Sequence, residues 1–309
     1  FLTRQALPAG VNNEASLSLV RCRLEGAATD GLLTGKQGTA KVIDCTIRAS
    51  EGYGIRSVDT SQFYVEGGSI SENKKNGVYI DSTTVNVTGC EFFGNESADA
   101  LVDNRGRLTL RACRFHDSKT NAVSVQSNAT LLAYDSTFEV SANNALGFDS
   151  ESKGILHDCS IQKSQQSGIA VFNSAKVELA NCDLRDNAQN GILANAKGSF
   201  EAEYCNFSGN QLSGVALFDG CSGTLSDSTI EASGAAGVYA QDNTELSVIA
   251  TKLIRNPIAI EVQANGHVAA YSCTASESTQ TNWKVHATGQ LTGANNTPPL
   301  EKQSAAGSQ

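Results

Sequence analysis

Asp219 and Asp242 stand 23 residues apart. If that interval brings them to the same place on neighbouring strands, their carboxylates lie about 5 Å from each other. Such a pair could serve a retaining glycosidase or give two ligands to Ca2+. Asp135 and Asp158 repeat the interval, just ahead of Ser136 and Cys159. Asp81 and Asp149 fall three repeats apart, roughly 14 Å, too far for either glycosidase geometry. Stacked exposed acids are also an ordinary surface feature of an acidic protein, and neither pair is assigned as catalytic.

A longer series could hold a polymer. Arg56, Tyr79, Asp81, Asn104, Gln126, Asp149, Phe172, Asn195, Phe218, Tyr239 and Gln241 recur near multiples of the same interval, with Glu261 and Gln263 beyond them. Flat ring faces beside amides and carboxylates suit a sugar or a peptide. A solvated sheet face with scattered aromatics is the plain alternative. The four histidines (His116, His157, His267, His286) share no column, and no G-x-S-x-G, H-E-x-x-H or phosphate loop occurs. No metal site is assigned beyond the Asp219/Asp242 candidate for Ca2+.

The elements that must position these residues are set by one phrase repeated along the chain. Residues 159–214 show it most clearly: Cys, an apolar residue two places on, Ser or Asn at five, Gly at nine, an aliphatic at ten. The Gly position recurs as Gly31, Gly54, Gly77, Ala100, Ala122, Ala145, Gly168, Gly191, Gly214, Gly237, Ala259 and Asn282. Apolar residues follow it, from Leu32, Ile55 and Val78 through Leu101 and Val123 to Trp283. Within each phrase apolar and polar residues alternate, which is the strand period. Three strand-length pieces fit per phrase. None can bury a face alone, so successive turns must stack on one shared core. Twelve turns at the strand spacing predict a rod of roughly 55 Å.

The Ser/Asn column (Ser50, Asn73, Asn95, Ser118, Ser141, Ser164, Asn187, Asn210, Ser233, Asn256, Ser278) predicts a bend at which stacked polar side chains bond one another and Asn tolerates a left-handed backbone. Gly at position nine is read as the next bend. Together the columns resemble the repeat of the right-handed parallel β-helix (pectate-lyase-like) proteins. The resemblance implies an all-β solenoid of about 12 coils with 22–23 residues each, over residues 16–291. Residues 1–15 read as a lead-in or part of a cap, and residues 292–309, with two prolines, as a linker tail.

Eight of the nine cysteines fall in one column. Stacked copies have parallel Cβ vectors, the wrong geometry for disulfides, so they are expected to be buried small hydrophobes. Cys221 lies off the column and is expected at the surface. Unpaired thiols lean toward a reducing compartment, although burial would protect them outside the cell as well. The formal charge of −9 argues against nucleic acid and anionic membrane, and no apolar run is long enough to span a bilayer. The chain starts at Phe1, has no Met, and is read as a processed protein or a piece of a longer one.

Enzymes of the family carry their sites on the outer face of one sheet between long loops. Coils of 22–23 residues leave no room for such walls. The chain is therefore expected to be a non-catalytic interaction or spacer module, binding a protein or polysaccharide along the face that follows the Gly column. The alternative is a carbohydrate-active enzyme (lyase, hydrolase or epimerase) acting on an acidic polysaccharide. No oligomer is implied beyond a monomeric rod or part of a larger chain.

Overall fold

The computed structural model describes residues 2–3, 16–35, 38–59 and 62–300. The lead-in is thus outside the described residues save for 2–3, and so is the tail beyond 300. The protein is an all-β parallel solenoid of about twelve turns with three parallel sheets. It divides into two compact units, residues 1–165 and 166–309, and the same coil builds both. In the second unit one coil supplies the strands Asp183–Arg185, Ile192–Ala194 and Ser199–Glu203. They pair in parallel with the next coil at Asp183↔Asn206, Ile192↔Val215 and Ser199↔Ser222, a uniform step of 23. The three strands of a coil are called here the first, second and third sheet positions.

Inward residues form files. In the first unit Phe92, Phe115 and Phe138 lie in register on the first sheet. Their rings stack at 4.4 and 5.1 Å between centroids and are at most 1% exposed. Burial of each ring contributes dispersion and apolar transfer energy, and the offset stack adds on the order of 1 kcal/mol. The Asn file is a hydrogen-bond ladder. Asn73 donates through Nδ2 to Asn95 Oδ1 at 2.8 Å, and in the second unit Asn187 does the same to Asn210 at 3.0 Å. Each Asn also caps backbone: Asn210 Nδ2 donates to the Leu184 carbonyl, and Asn256 Nδ2 to that of Ile230, both at 2.9 Å. These amides are at most 1% exposed, and the ladder satisfies what burial would otherwise leave unpaired.

The bends differ from the expectation. Left-handed dihedrals fall on the residue before the Asn/Ser file, such as Glu72, Val140, Asp186 and Ala232. Asn is there for its amide. The Gly file is likewise not a positive-φ requirement: a Cβ on Gly191 would meet the Gly214 carbonyl oxygen at 2.6 Å, so the next coil's backbone passes too close for a side chain. Between second and third sheets the chain turns on two consecutive left-handed residues, for example Asn173 and Ser174, closed by Ala175 N donating to the Phe172 carbonyl at 3.0 Å. Positive φ at both central residues is the type I′ pattern.

The cysteine file is more polar than expected. None of the nine cysteines forms a disulfide, and most are buried, but the thiols are hydrogen-bonded. Cys205 Sγ donates to the Glu203 carbonyl two residues back at 3.3 Å, and Ser228 and Thr251 in the same file do likewise. The side chain also accepts from the coil before, as Ser228 Oγ does from Cys205 N at 3.0 Å. A small X–H group is what the file needs, which is why Cys, Ser and Thr alternate. Asn296 continues it, accepting from Cys273 N at 2.9 Å, and strand pairing runs on to Ala294. Cys221, expected at the surface, is 1% exposed. It belongs to a second small-residue file, Ala175, Gly198, Cys221 and Thr244, behind the I′ turns. Burial pushes its thiol up to about 11.

One column was misread by a residue. Val78 pairs with Ala100, and Ala100 with Val123, so the 22-residue step lies a coil earlier than the Gly column suggested. Ala100, not Leu101, faces inward, since a slip of one exchanges the faces of a strand. The Gly position beside Gly77 is therefore taken by Asp99, fully buried. It accepts from Asn95 Nδ2 at 2.5 Å and from the Ser118 hydroxyl. Burial drives its carboxyl up to about 6, against those hydrogen bonds and the nearby His116.

Two predictions follow from these files. An unfolded Asp titrates near 3.9, so the folded state disfavours the ionised Asp99, and its destabilising effect sets in as pH rises from about 4 to about 6. Asp99→Asn should gain stability over the parent at pH 7.5, by up to about 3 kcal/mol, and the difference should shrink toward pH 4. Urea midpoints at both values test this, and a pH-independent loss would refute it. Ser233, between Asn210 and Asn256, has a buried hydroxyl with no partner. Ser233→Asn should complete the ladder and raise the melting temperature, each added bond contributing about 1 kcal/mol; a lower melting temperature would contradict the ladder account.

Candidate functional site

The second sheet turns two rows of side chains outward in each coil. In the first unit the inner row is Arg56 beside Tyr79, in register. Tyr53, from the preceding bend, stacks on Tyr79 at 5.1 Å between centroids. Lys75 Nζ lies 4.9 Å from the Tyr53 ring centre, and Arg56 sits 3.9 Å from the Asp30 carboxylate. In the next row Asp81 pairs with Asp103. Gln126 Nε2 donates to Asp103 Oδ2 at 3.1 Å, and Asp149 follows one coil on, its amide bonded to the Val125 carbonyl. Asn104 is not on this face. It is the first left-handed residue of an I′ turn, displaced by the same one-residue slip, and Asp103 takes the outward place. Burial raises the Tyr79 phenol above its usual range, and the charges of Asp81 and Asp103 add to the effect.

In the second unit Phe172, Asn195, Phe218 and Gln241 occupy the corresponding row. The Phe218 and Tyr239 rings meet at 5.5 Å, tilted by 39°. The Tyr239 hydroxyl donates to Gln241 Oε1, and Gln241 Nε2 donates to Asp242 Oδ2 at 2.5 Å. Asp219 and Asp242 do fall at equivalent places on adjacent coils, with Gly220 N donating to the Asp242 carbonyl at 2.8 Å. Both, however, are left-handed first residues of turns, at φ 50° and 60°, a place Asp fills for conformational reasons. Asp135 and Asp158 are left-handed corner residues too. Among the described residues no group of three or more His, Cys, Asp or Glu side chains is placed to hold a metal ion. Two corner carboxylates fall short of the about six to eight oxygens that Ca2+ takes.

The most developed constellation is one coil further. Glu261 is in register with Tyr239 on one side and Lys284 on the other. It is 8% exposed, although it points to the outer face. Lys284 Nζ at 2.9 Å, His286 Nε2 at 2.8 Å and Gln263 Nε2 at 2.7 Å all meet its Oε1. Burial alone would raise the carboxyl; the bonds from Lys284, His286 and Gln263 together outweigh it and hold Glu261 below its ordinary value. Burial pushes the Tyr239 phenol up, helped by the charges of Glu261 and Asp242, so it stays protonated. An imidazole, an ammonium and an amide thus converge on one ionised carboxylate, with the Tyr239 phenol in register beside it. The sequence reading had Glu261 and Gln263 on this face but left out Lys284 and His286. Their signal was the repeat itself, 23 residues beyond each.

Comparison with known proteins supports the fold. A family model described as the right-handed beta helix region matches residues 5–107, 98–253 and 190–297. No curated protein matches. Among solved structures, the mannuronan C-5 epimerase AlgE4 A-module of Azotobacter vinelandii aligns with a TM-score of 0.65 at 13% identity, covering 84% of this chain and 87% of that one. The periplasmic alginate epimerase AlgG aligns at 0.59 and 9%, covering 85% and 77%. The catalytic unit of the GH87 α-1,3-glucanase from Streptomyces thermodiastaticus aligns at 0.60 and 11%, covering 89% and 62%. At such identities the likeness is one of fold.

Proposed function

The chain belongs to the right-handed beta helix family, and from that premise we propose that it acts on an acidic polysaccharide through the cluster around Glu261. The observation that carries this reading is the meeting of Lys284, His286 and Gln263 on a buried carboxylate in register with Tyr239. The structural neighbours named above, enzymes of alginate and of an α-glucan, support a glycan as the substrate class.

The chemistry that fits these groups is removal of the proton α to a uronate carboxylate. Charge builds up on that carboxylate as the C5–H bond breaks, and fixed donors lower the barrier. Lys284 and Gln263 are the donors to hand. His286 takes the C5 proton as general base. Tyr239, protonated because burial and two acids disfavour the phenolate, gives a proton to the departing glycosidic oxygen. If the bond to that oxygen holds, the same phenol reprotonates C5 from the other face. Glu261 fixes the imidazole and balances the ammonium, and the Phe218–Tyr239 pair offers the sugar a ring face.

A second reading, glycan binding without turnover, is favoured by the turns. The I′ turn from Phe218 to Cys221 has only two central residues and raises no wall beside the cluster. Without walls water is not excluded, and donors are worth less.

Incubation with polymannuronate or polygalacturonate in deuterated water separates the two readings. The enzyme reading expects deuterium at C5 or new unsaturated chain ends, with Tyr239→Phe and His286→Gln each lowering the rate about a hundredfold or more. Lys176→Gln, on the third sheet, should leave it unchanged. Binding of either polymer without exchange or cleavage would leave the second reading standing alone.

A further inference from the structure

The third sheet of the first unit has an outer face whose charge opposes that of the protein. Its strands are Thr39–Ile43, Gln62–Glu66, Thr84–Thr88, Arg107–Arg111, Thr130–Tyr134 and Lys153–His157. The outward residues include four cations, Lys41, Arg107, Arg111 and Lys153, all exposed, against one carboxylate, Glu66. In a chain of net charge −9 this is a local reversal. Cations in the outer rows of other sheets include paired ones: Arg114 bridges Glu91 and Glu139, and Lys176 of the second unit bridges Glu178 and Glu201 on that unit's third sheet. Among the described residues, none of the four cations here has an ion-pair partner.

The same face holds a depression of about 480 Å3 lined by Lys41, Tyr64, Glu66, Asn86 and Thr88, within the range of ligand sites, about 300–1,000 Å3. Tyr64 is 41% exposed. Lys41 pairs in register with Tyr64, and Tyr64 with Asn86. Three coils on from Tyr64, roughly 14 Å, the Tyr134 ring is covered on both sides. Arg111 rests 4.3 Å from its centre, and His157 stacks at 5.7 Å. The cations therefore mark out a patch: Lys41 is three coils from Arg107, Lys153 two coils beyond, and Arg107 and Arg111 lie at opposite ends of one strand. Corner acids Asp135 and Asp158 border one rim without entering the face.

We propose that this face binds an anionic polysaccharide strand, with its carboxylates on Lys41, Arg107, Arg111 and Lys153 and a sugar ring seated in the Tyr64 depression. Charge selects a polyanion. Single-stranded nucleic acid binds by stacking bases on free aromatic faces, and here one of the two rings is sandwiched, leaving its edge and hydroxyl. Hydroxyls and amides of Thr39, Thr84, Asn86, Thr88, Thr109 and Thr130 between the cations suit a polyhydroxylated chain instead. The surface is separate from the Glu261 cluster and stands whether or not that cluster turns substrate over.

Titration calorimetry of the full chain with an oligogalacturonate, a maltooligosaccharide of equal length and an oligothymidylate of equal charge tests it. The expected result is oligogalacturonate binding that weakens with salt, no binding of the neutral sugar, and a weaker response to the oligothymidylate. Arg107→Gln/Lys153→Gln and Lys41→Gln/Arg111→Gln should each weaken it about tenfold and flatten its salt dependence, while Lys176→Gln does neither. These exposed substitutions leave the core untouched, and an unchanged circular-dichroism melt verifies it. Equal affinity for the neutral sugar, tighter binding of the oligothymidylate, or oligogalacturonate affinity unaffected in both double variants would overturn the proposal.

Discussion

Each inward side chain in this solenoid meets the equivalent side chain of the next coil at the strand spacing, and that constraint governs the rest. A residue is acceptable if copies of it, or close substitutes, can stack at about 4.8 Å. Phenyl rings satisfy this by offset stacking, as Phe92, Phe115 and Phe138 do. Amides satisfy it because one Asn can donate to the carbonyl oxygen of the next, whose own amide caps backbone. Thiols and hydroxyls satisfy it by donating within their own coil and accepting from the coil before. Like charges do not, and some outer files set opposite charges side by side, as Glu25 and Arg48 are in register, with Arg48 also reaching the corner residue Glu72.

The columns were legible in the sequence because the constraint writes one residue class at one interval. Strand number, inward files and the polar ladder could be read that way. What each file does was harder to see, since it depends on backbone geometry rather than on residue type. Gly191 reads as a turn former, yet it is small because the Gly214 carbonyl passes over it. Asn210 reads as a left-handed bend, yet the bend is at Gly209 and the amide is a cap. The slip at Ala100 arose where the Gly position is filled by Asp99 and the small residue Ala100 stands next to it. It misplaced Asn104 and hid both Asp99 in the core and Asp103 on the face.

The candidate site was legible only in outline. Tyr239, Gln241 and Phe218 follow from the file logic, and the structure does put them side by side. Lys284 and His286 escaped because the cluster is defined across files. Glu261 draws partners from its own row and the next, and no single column announces that. The basic face was hidden by arithmetic of another kind: a net charge sums over faces that never meet the same ligand. Four cations on one sheet are invisible in a total of −9.

Charge segregation also bears on how so uniform a scaffold could distinguish ligands. With two-residue turns between the second and third sheets, the protein has no long loop there to shape a pocket, so the outward rows are where its coils differ. The inward rows are committed to stacking and cannot vary independently. The outward rows can, since an exposed residue costs little to change. The Glu261 cluster departs from that freedom, because a carboxylate only 8% exposed needs its donors or pays in desolvation. Removing Lys284, His286 or Gln263 would leave a buried charge short of partners. That obligation sets Glu261 apart from the outward positions that are free to drift: its charge ties residues of two neighbouring rows together.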